Sequence, residues 1–246
     1  MTDIVIDIKH KTYQAKAKTS AYTAIKDLNL VLKSHEFVCL VGPSGCGKTT
    51  LLNTISGLDT DFEGEILIGE SHQSPNIGYV FQNPRLLPWR TVRENIELVL
   101  TGEDHKAVID RLLEIMQLKH LEHVYPEQLS LGMSRRIAII RAFAINPDIL
   151  LMDEPFVSLD APSARQVRRL LMTLWQQRPH TILFVTHDLR EAIILADKLV
   201  FLSVSPMKVV SEITVPIARD ARDNELRVEE FRQKLINDHA EIRSLL

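Results

Sequence analysis

The chain has 246 residues, 45% of them hydrophobic and 25% charged, which is the composition of a soluble globular protein with room for one large domain or a domain carrying an inserted subdomain. A net charge of −3 excludes a general basic field for nucleic acid, and two cysteines cannot form a disulfide framework. No run of about 18 apolar residues is present to span a membrane, and Met1 to His10 lacks the basic-then-apolar plan of a signal peptide.

Ile4 to Ile8 and Ala24 to Leu30 read as strands, separated by a polar stretch that holds Tyr13 and Tyr22. Either tyrosine can stack on an adenine ring, and either can equally be a strand-end aromatic covering the core. Phe37 to Val41 reads as a buried strand. It enters Gly42-Pro43-Ser44-Gly45-Cys46-Gly47-Lys48-Thr49-Thr50, which has the form G-x-x-x-x-G-K-[ST]. Dense negative charge on a triphosphate needs many donors at short range. The glycines let consecutive N–H groups converge, Lys48 adds a mobile cation, and the Thr49 hydroxyl can ligate Mg²⁺. The helix that follows, from Thr50 to Ile55, turns its N-terminal dipole toward the phosphates. Cys39 lies in the strand and Cys46 in the loop, for which a reducing cytosol is the simple setting.

Glu65 to Ile68 and Ile77 to Phe81 read as short strands, and Gln82 follows the second. An amide at a strand end can reach a metal or water at the sheet's C-terminal edge; from position alone, a plain surface glutamine is the simpler reading. The loop from Asn83 to Arg90 exposes Leu86, Leu87 and Trp89, either as a docking surface or folded back on the domain. Thr91 to Glu94 is a capping box. Ile109, Leu112, Leu113 and Met116 fall at helical spacing, with Met116 as core filler. Residues 84–146 thus read as a mostly helical insertion in an α/β pattern. Within them Ser130 caps a helix at Leu129-Ser130-Leu131-Gly132-Met133, a second potential anion site, and Arg135, Arg136 and Arg141 read as solvated or paired surface charges.

Ile149 to Glu154 is a buried strand ending in two acids. Asp153 can hold Mg²⁺ and Glu154 can take a proton from an attacking water. Asp160 caps a helix with Val167, Leu170, Leu171 and Leu174 inward and Arg165, Arg168 and Arg169 solvated. Thr181 to Thr186 is the next buried strand, ending in His187. Gln82, Glu154 and His187 at the ends of separate strands read better as a site than as three structural residues. Leu199 to Leu202 is a further strand. A charged tail follows, in which Val228, Phe231, Leu235 and Ile242 can form one helical face.

With these motifs in this order, residues 3–215 resemble the ATP-binding subunits of ABC transporters. Gly42 to Thr50 matches the Walker A loop, Gln82 the Q-loop, Leu129 to Met133 the signature, Ile149 to Glu154 Walker B, Ser158-Leu159-Asp160 the D-loop and His187 the switch histidine. Phe81 to Val92, with its Leu-Leu-Pro-Trp element, looks like importers of nitrate, taurine and aliphatic sulfonates. The resemblance implies an α/β fold: a P-loop NTPase (RecA-like) core with an antiparallel β subdomain and an inserted α-helical subdomain. It implies an ATPase domain over residues 1–220 and a helical tail over 221–246.

The resemblance also implies a head-to-tail dimer. Lys48, Thr49, Gln82 and Asp153 of one subunit bind Mg-ATP, Ser130 and Gly132 of the other cap it, Glu154 is the base, and His187 holds the γ-phosphate and the water. Tyr13 matches the adenine-stacking position if Gln14 to Ala21 is a small insertion, with Tyr22 as the alternative. Implied partners are membrane permease subunits, a second ATP-binding subunit and, indirectly, a periplasmic or extracellular substrate-binding protein, with no nucleic acid. The implied location is peripheral, on the cytoplasmic face of the cytoplasmic membrane. The family's usual first signature glycine is Leu131 here, costly only if that position needs positive φ or very close approach. An ABC-type ATPase not tied to transport, and a binding-only regulatory subunit with a weakened signature, are the alternatives.

Overall fold

In the amino-terminal strands, side chains alternate between core and solvent. In β1 (Ile4–Tyr13) Ile4, Ile6 and Ile8 are buried while Val5 is exposed, and β2 (Tyr22–Leu32) buries Leu28, Leu30 and Leu32 in the same way. β3 (Phe37–Val41) has no such alternation because every residue is buried. It leads into α1 (Lys48–Ile55), after which β4 (Glu63–Ile68) returns beside β1. The three-stranded sheet has the order β2-β1-β4, antiparallel throughout, with Val5 level with Val31 and Leu67. β1 and β2 are both longer than the hydrophobic runs suggest, because part of the polar stretch between them pairs as well.

This is a computed structural model, and it describes residues 3–15, 21–69, 75–102 and 105–245. Most of Gln14 to Ala21, the segment proposed as an insertion, lies outside the described residues. The contacts divide the chain into two units, Met1–Gln73 with Thr181–Leu246, and Ser74–His180.

In the second unit β5 (Ile77–Val80) is followed by α2 (Val92–Glu97), α3 (Lys106–Ile115) and α4 (Leu131–Ala144), then by β6 (Ile149–Asp153) and α5 (Ala161–Gln177). Thr91 and Glu94 form the reciprocal capping box that starts α2. Ile109, Leu113 and Met116 are buried beneath α3. β5 and β6 run parallel, with Val80 level with Met152. α4 packs so closely on β5 that a Cβ at Gly78 would lie 2.7 Å from the carbonyl oxygen of Ala142, so the contact tolerates only glycine. α5 is amphipathic, with Val167, Leu170, Leu171 and Leu174 buried.

The first unit resumes with β7 (Thr181–Thr186), α6 (Leu189–Leu195), β8 (Lys198–Leu202) and β9 (Val209–Thr214). Its second sheet contains β7-β3-β8-β9 as neighbours, parallel except for β9, which runs against β8. β3 and β7 are buried along their whole length, as parallel strands covered on both faces are, and Phe37 meets Phe184 edge to face with ring centroids 5.8 Å apart.

The tail forms α7 (Glu225–Asp238), which packs against α6, and a short α8 (Ala240–Arg243), with Val228, Leu235 and Ile242 buried. Arg222 fastens its start by donating to the carbonyls of Ala196 at 2.7 Å and Ile217 at 2.9 Å. The architecture is the expected α/β class, with an antiparallel β portion and a helical portion. Among the described residues no helix is long and apolar enough to cross a membrane.

Candidate active site

In the first unit the phosphate loop leaves β3 after Val41. Gly47 caps α1 with φ 109°, a left-handed value that a side chain resists. The first helical bond runs from Leu51 N to Gly47 O at 2.9 Å, so the N–H groups earlier in the turn have no helical acceptor and suit an anion. Lys48 is buried and folds back on the loop, donating from Nζ to the carbonyls of Gly42 at 2.7 Å and Pro43 at 2.8 Å. Cys46 is buried with Sγ 3.9 Å from the same ammonium, while Ser44, Gly45 and Thr49 are exposed.

Strand register brings His187 to the same edge. Val41 is level with Thr186, so the loop and His187 leave neighbouring parallel strands at equivalent points. His187 is exposed, and Asp188 beside it caps α6, accepting from the N–H groups of Arg190 and Glu191.

Tyr13 and Tyr22 are level with each other across β1 and β2, and both are partly exposed. Their hydroxyls point to different neighbours. Tyr13 donates to Thr50 Oγ1 at 3.3 Å and to Asp59 Oδ2 at 3.2 Å, whereas Tyr22 pairs with Ser205. Lys11, buried to 1% exposure, places Nζ 4.7 Å from the Tyr13 ring centroid and donates to Asp59 at 2.7 Å and to the carbonyl of Asp61 at 2.6 Å. Tyr13 is therefore the tyrosine attached to the phosphate-loop helix. The Lys11–Asp59 pair behind it has no sequence signal beyond one lysine in a polar stretch.

In the second unit, register does the same for the acids. With Val80 level with Met152, the residues after the strands fall in step, and Gln82 Nε2 donates to Glu154 Oε2 at 3.2 Å. Asp153 is buried at the strand end. Glu154 has φ 44° and Ser158 φ 64°, left-handed conformations that cost a non-glycine residue about 1–3 kcal/mol. The turn between them is closed by Val157 N to Glu154 O at 3.2 Å. Tyr79 and Phe81 stack with centroids 4.0 Å apart, and Arg85 covers Phe81 at 3.9 Å. Burial, reinforced by the charge of Asp153, pushes the Tyr79 phenol well above its usual range.

Residues 25–157 match the family model described as ABC transporter. The chain belongs to the ABC transporter family. It is 39% identical over 239 residues to the aliphatic sulfonates import ATP-binding protein SsuB of Bacillus cereus, covering 95% of each chain. It is 38% identical over 230 residues to the nitrate import ATP-binding protein NrtD of Synechococcus elongatus, covering 89% of this chain and 84% of that one. Among solved structures it resembles a bacterial ABC transporter cassette in its dimeric form, with a TM-score of 0.75 and 31% identity over 88% of this chain and 100% of that one. A post-hydrolysis state of that ATP-binding cassette, bound to ADP and Pi, matches with a TM-score of 0.74.

The segment that resembles the ABC signature, Leu129 to Met133, lies at the start of α4. Ser130 is the N-cap and accepts from Met133 N at 3.2 Å. Leu131 is the first helical residue, is 42% exposed and is not among the residues with positive φ. A Cβ at Gly132 would meet nothing closer than 3.9 Å, an ordinary contact. Neither position needs glycine for the fold of this chain.

The arginines of α4 correct the reading of them as surface charges. Arg135 and Arg136 are buried, and Arg141 is partly so. All three donate to backbone carbonyls. Arg141 holds Pro84 and Arg85 at 2.9 and 3.1 Å, and Arg136 holds Met116 at 3.0 Å. Burial lowers the pKa of each guanidinium from its ordinary value.

Proposed function

We propose that the chain is the ATP-binding and ATP-hydrolysing subunit of an ABC importer, energising uptake of a small anion such as an aliphatic sulfonate, taurine or nitrate. The observation that carries the ATP reading is the phosphate loop, where Gly47 opens α1 and buried Lys48 satisfies its ammonium on loop carbonyls that a triphosphate can replace. The anion class is supported by the relatives named for sulfonate and nitrate import and by the Leu86-Leu87-Pro88-Trp89 element, whose Trp89 is 69% exposed.

Lys48 and the loop N–H groups bind the phosphates, with Pro43, Ser44, Gly45, Cys46 and Thr50 completing the loop. Glu154 takes the proton of the attacking water, and His187 orients the γ-phosphate and that water. Tyr13 is the adenine-stacking residue. Its hydroxyl is tied to the helix that carries the loop, and Tyr22's is not. Mg²⁺ suits the oxygen donors Thr49, Asp153 and Gln82. Because Gln82 Nε2 is engaged by Glu154, the ligating atom on Gln82 is its amide oxygen. Bound Mg²⁺ neutralises charge developing on the phosphates.

Ser130 and Gly132 cap the nucleotide of a second copy. The partners are that copy, membrane permease subunits and, through them, an external substrate-binding protein. The chain works peripherally on the cytoplasmic face of the membrane. Light scattering of purified Glu154→Gln protein tests the sandwich. Mg-ATP should double its mass, and a mass unchanged by Mg-ATP even beside the permease would overturn the reading. Uptake of taurine and nitrate by cells with and without the chain tests the anion class.

A further inference from the structure

One buried side chain in the second unit joins three segments to which the proposed function gives separate tasks. Arg135 lies five residues past Ser130, one turn into α4, and is 3% exposed. Its Nη1 donates to the carbonyl of Phe81 at 3.3 Å and its Nη2 to the carbonyl of Val157 at 3.4 Å. Phe81 immediately precedes Gln82. Val157 closes the left-handed turn that begins at Glu154, since its N–H donates back to the Glu154 carbonyl. Gln82 and Glu154 are in turn joined side chain to side chain. These bonds form a ring: Arg135 to Phe81, Gln82 to Glu154, Glu154 to Val157, and Val157 back to Arg135.

The cost of the arrangement argues for a purpose. Burial disfavours the charged guanidinium, and the charge of Glu154 partly offsets that. Nε of Arg135 is buried without a hydrogen-bond partner. An apolar residue would fill the space without leaving a buried donor unmet. Arg136, next to it, is a useful contrast. It is also buried, but it donates to Met116 and, within its own helix, to Gly132, and reaches neither the Phe81–Gln82 nor the Glu154–Val157 segment.

We propose that Arg135 is a positioning residue for hydrolysis: it sets Gln82 and Glu154 relative to each other and ties both to the helix that bears the signature. Resting on the functional reading above, this adds a residue that acts through Glu154 without touching nucleotide. A displacement of about 1 Å at a reacting group can cost about a hundredfold in rate, so loss of the brace falls on kcat. The nucleotide affinity set by the phosphate loop is left alone.

The experiment compares Arg135→Gln, Arg135→Lys and Arg136→Gln in the full chain, measuring kcat and KM for Mg-ATP and the melting temperature. Arg135→Gln should lower kcat about ten- to a hundredfold with KM within about threefold. Arg135→Lys, keeping the cation but reaching one carbonyl at a time, should fall between it and the wild type. Arg136→Gln should lower the melting temperature with kcat retained. In a Glu154→Gln background, Arg135→Gln should remove nothing further. A kcat loss no larger than that of Arg136→Gln, or a rise in KM at unchanged kcat, overturns the proposal. If Arg135→Gln does not fold, a wild-type kcat in Arg135→Lys overturns it. A wild-type chain that does not turn over Mg-ATP at all sinks the functional reading itself.

Discussion

Gln82 and Glu154, 72 positions apart in the chain, are joined by a hydrogen bond of 3.2 Å from amide to carboxylate. The bond follows from the parallel register of β5 and β6, and by engaging the amide nitrogen of Gln82 it leaves the amide oxygen to face a cation. Under the proposed function, this bond positions the carboxylate that acts as the base. Replacing Glu154 with Gln should lower ATP turnover by about 10²–10⁴-fold while leaving Mg-ATP affinity nearly unchanged. Steady-state hydrolysis beside equilibrium ATP binding checks it, and near-normal turnover refutes the assignment.

Gly78 should be intolerant of even one methyl group. Its Cβ would sit 2.7 Å from the Ala142 carbonyl and 2.9 Å from Leu150 Cδ1. Gly78→Ala should destabilise the protein by about 1–3 kcal/mol through overpacking. A melting temperature equal to the wild type's would show that α4 can move away at little cost.

The Lys11–Asp59 pair gives a prediction with a pH signature. For Lys11, burial acts downward, but the hydrogen bond and charge of Asp59 prevail and raise it. For Asp59, burial acts upward, but the hydrogen bond from Lys11 and the others it accepts prevail and lower it. A lowered carboxylate contributes stability that is present above its unfolded value, about pH 4, and is lost as pH falls through the folded value. A raised lysine contributes stability below about pH 10 that is lost as pH rises through its folded value. Lys11→Met should therefore destabilise the chain by a nearly constant amount, about 1–3 kcal/mol, between pH 5 and 9, and the difference should shrink below about pH 4. Denaturant unfolding across that range checks it. The same variant should weaken ATP binding slightly, because Tyr13 shares Asp59.

Leu131→Gly should change little in the isolated chain, at most a loss of about 1 kcal/mol from helix propensity at an exposed first position. In the Glu154→Gln background both residues should permit Mg-ATP-driven dimerisation by light scattering. A dimer that forms only with glycine would mean the side chain obstructs the second copy, and would favour the binding-only reading.

Motifs that act through backbone and local spacing were legible in the sequence. The phosphate loop, the Thr91 and Asp160 caps and the largely apolar strands β3, β6 and β7 each carry a signal within a few residues. What depends on register was not. Nothing local indicates that Val80 stands level with Met152, and the Gln82–Glu154 bond follows from that. Arg135 and Arg136 read from sequence as solvated or paired surface charges because charge usually stays at the surface, yet α4 is buried continuously from Arg135 to Ile140, and a helix enclosed all round has no polar face to read. β9 was missed because it is a half-exposed edge strand with only every second residue turned inward, next to a charged tail. Lys11 was hidden among polar residues, and its partner lies 48 positions away.

The signature residues make no steric demand within their own chain, since Leu131 is exposed and Gly132 has room for a side chain. If their work is done on a neighbour's nucleotide, lesions there and at Glu154 belong to different halves of a shared site. Two chains, one disabled at Ser130 and the other at Glu154, would each be inactive when purified alone. Mixed, they would pair so that one composite site is whole and the other doubly damaged. Activity should then return on mixing, toward a quarter of that of the unaltered protein, because half of the randomly formed dimers are mixed and each mixed dimer has one whole site of two. Inheritance at this locus would show the same arithmetic, with two silent alleles rescuing one another in one cell.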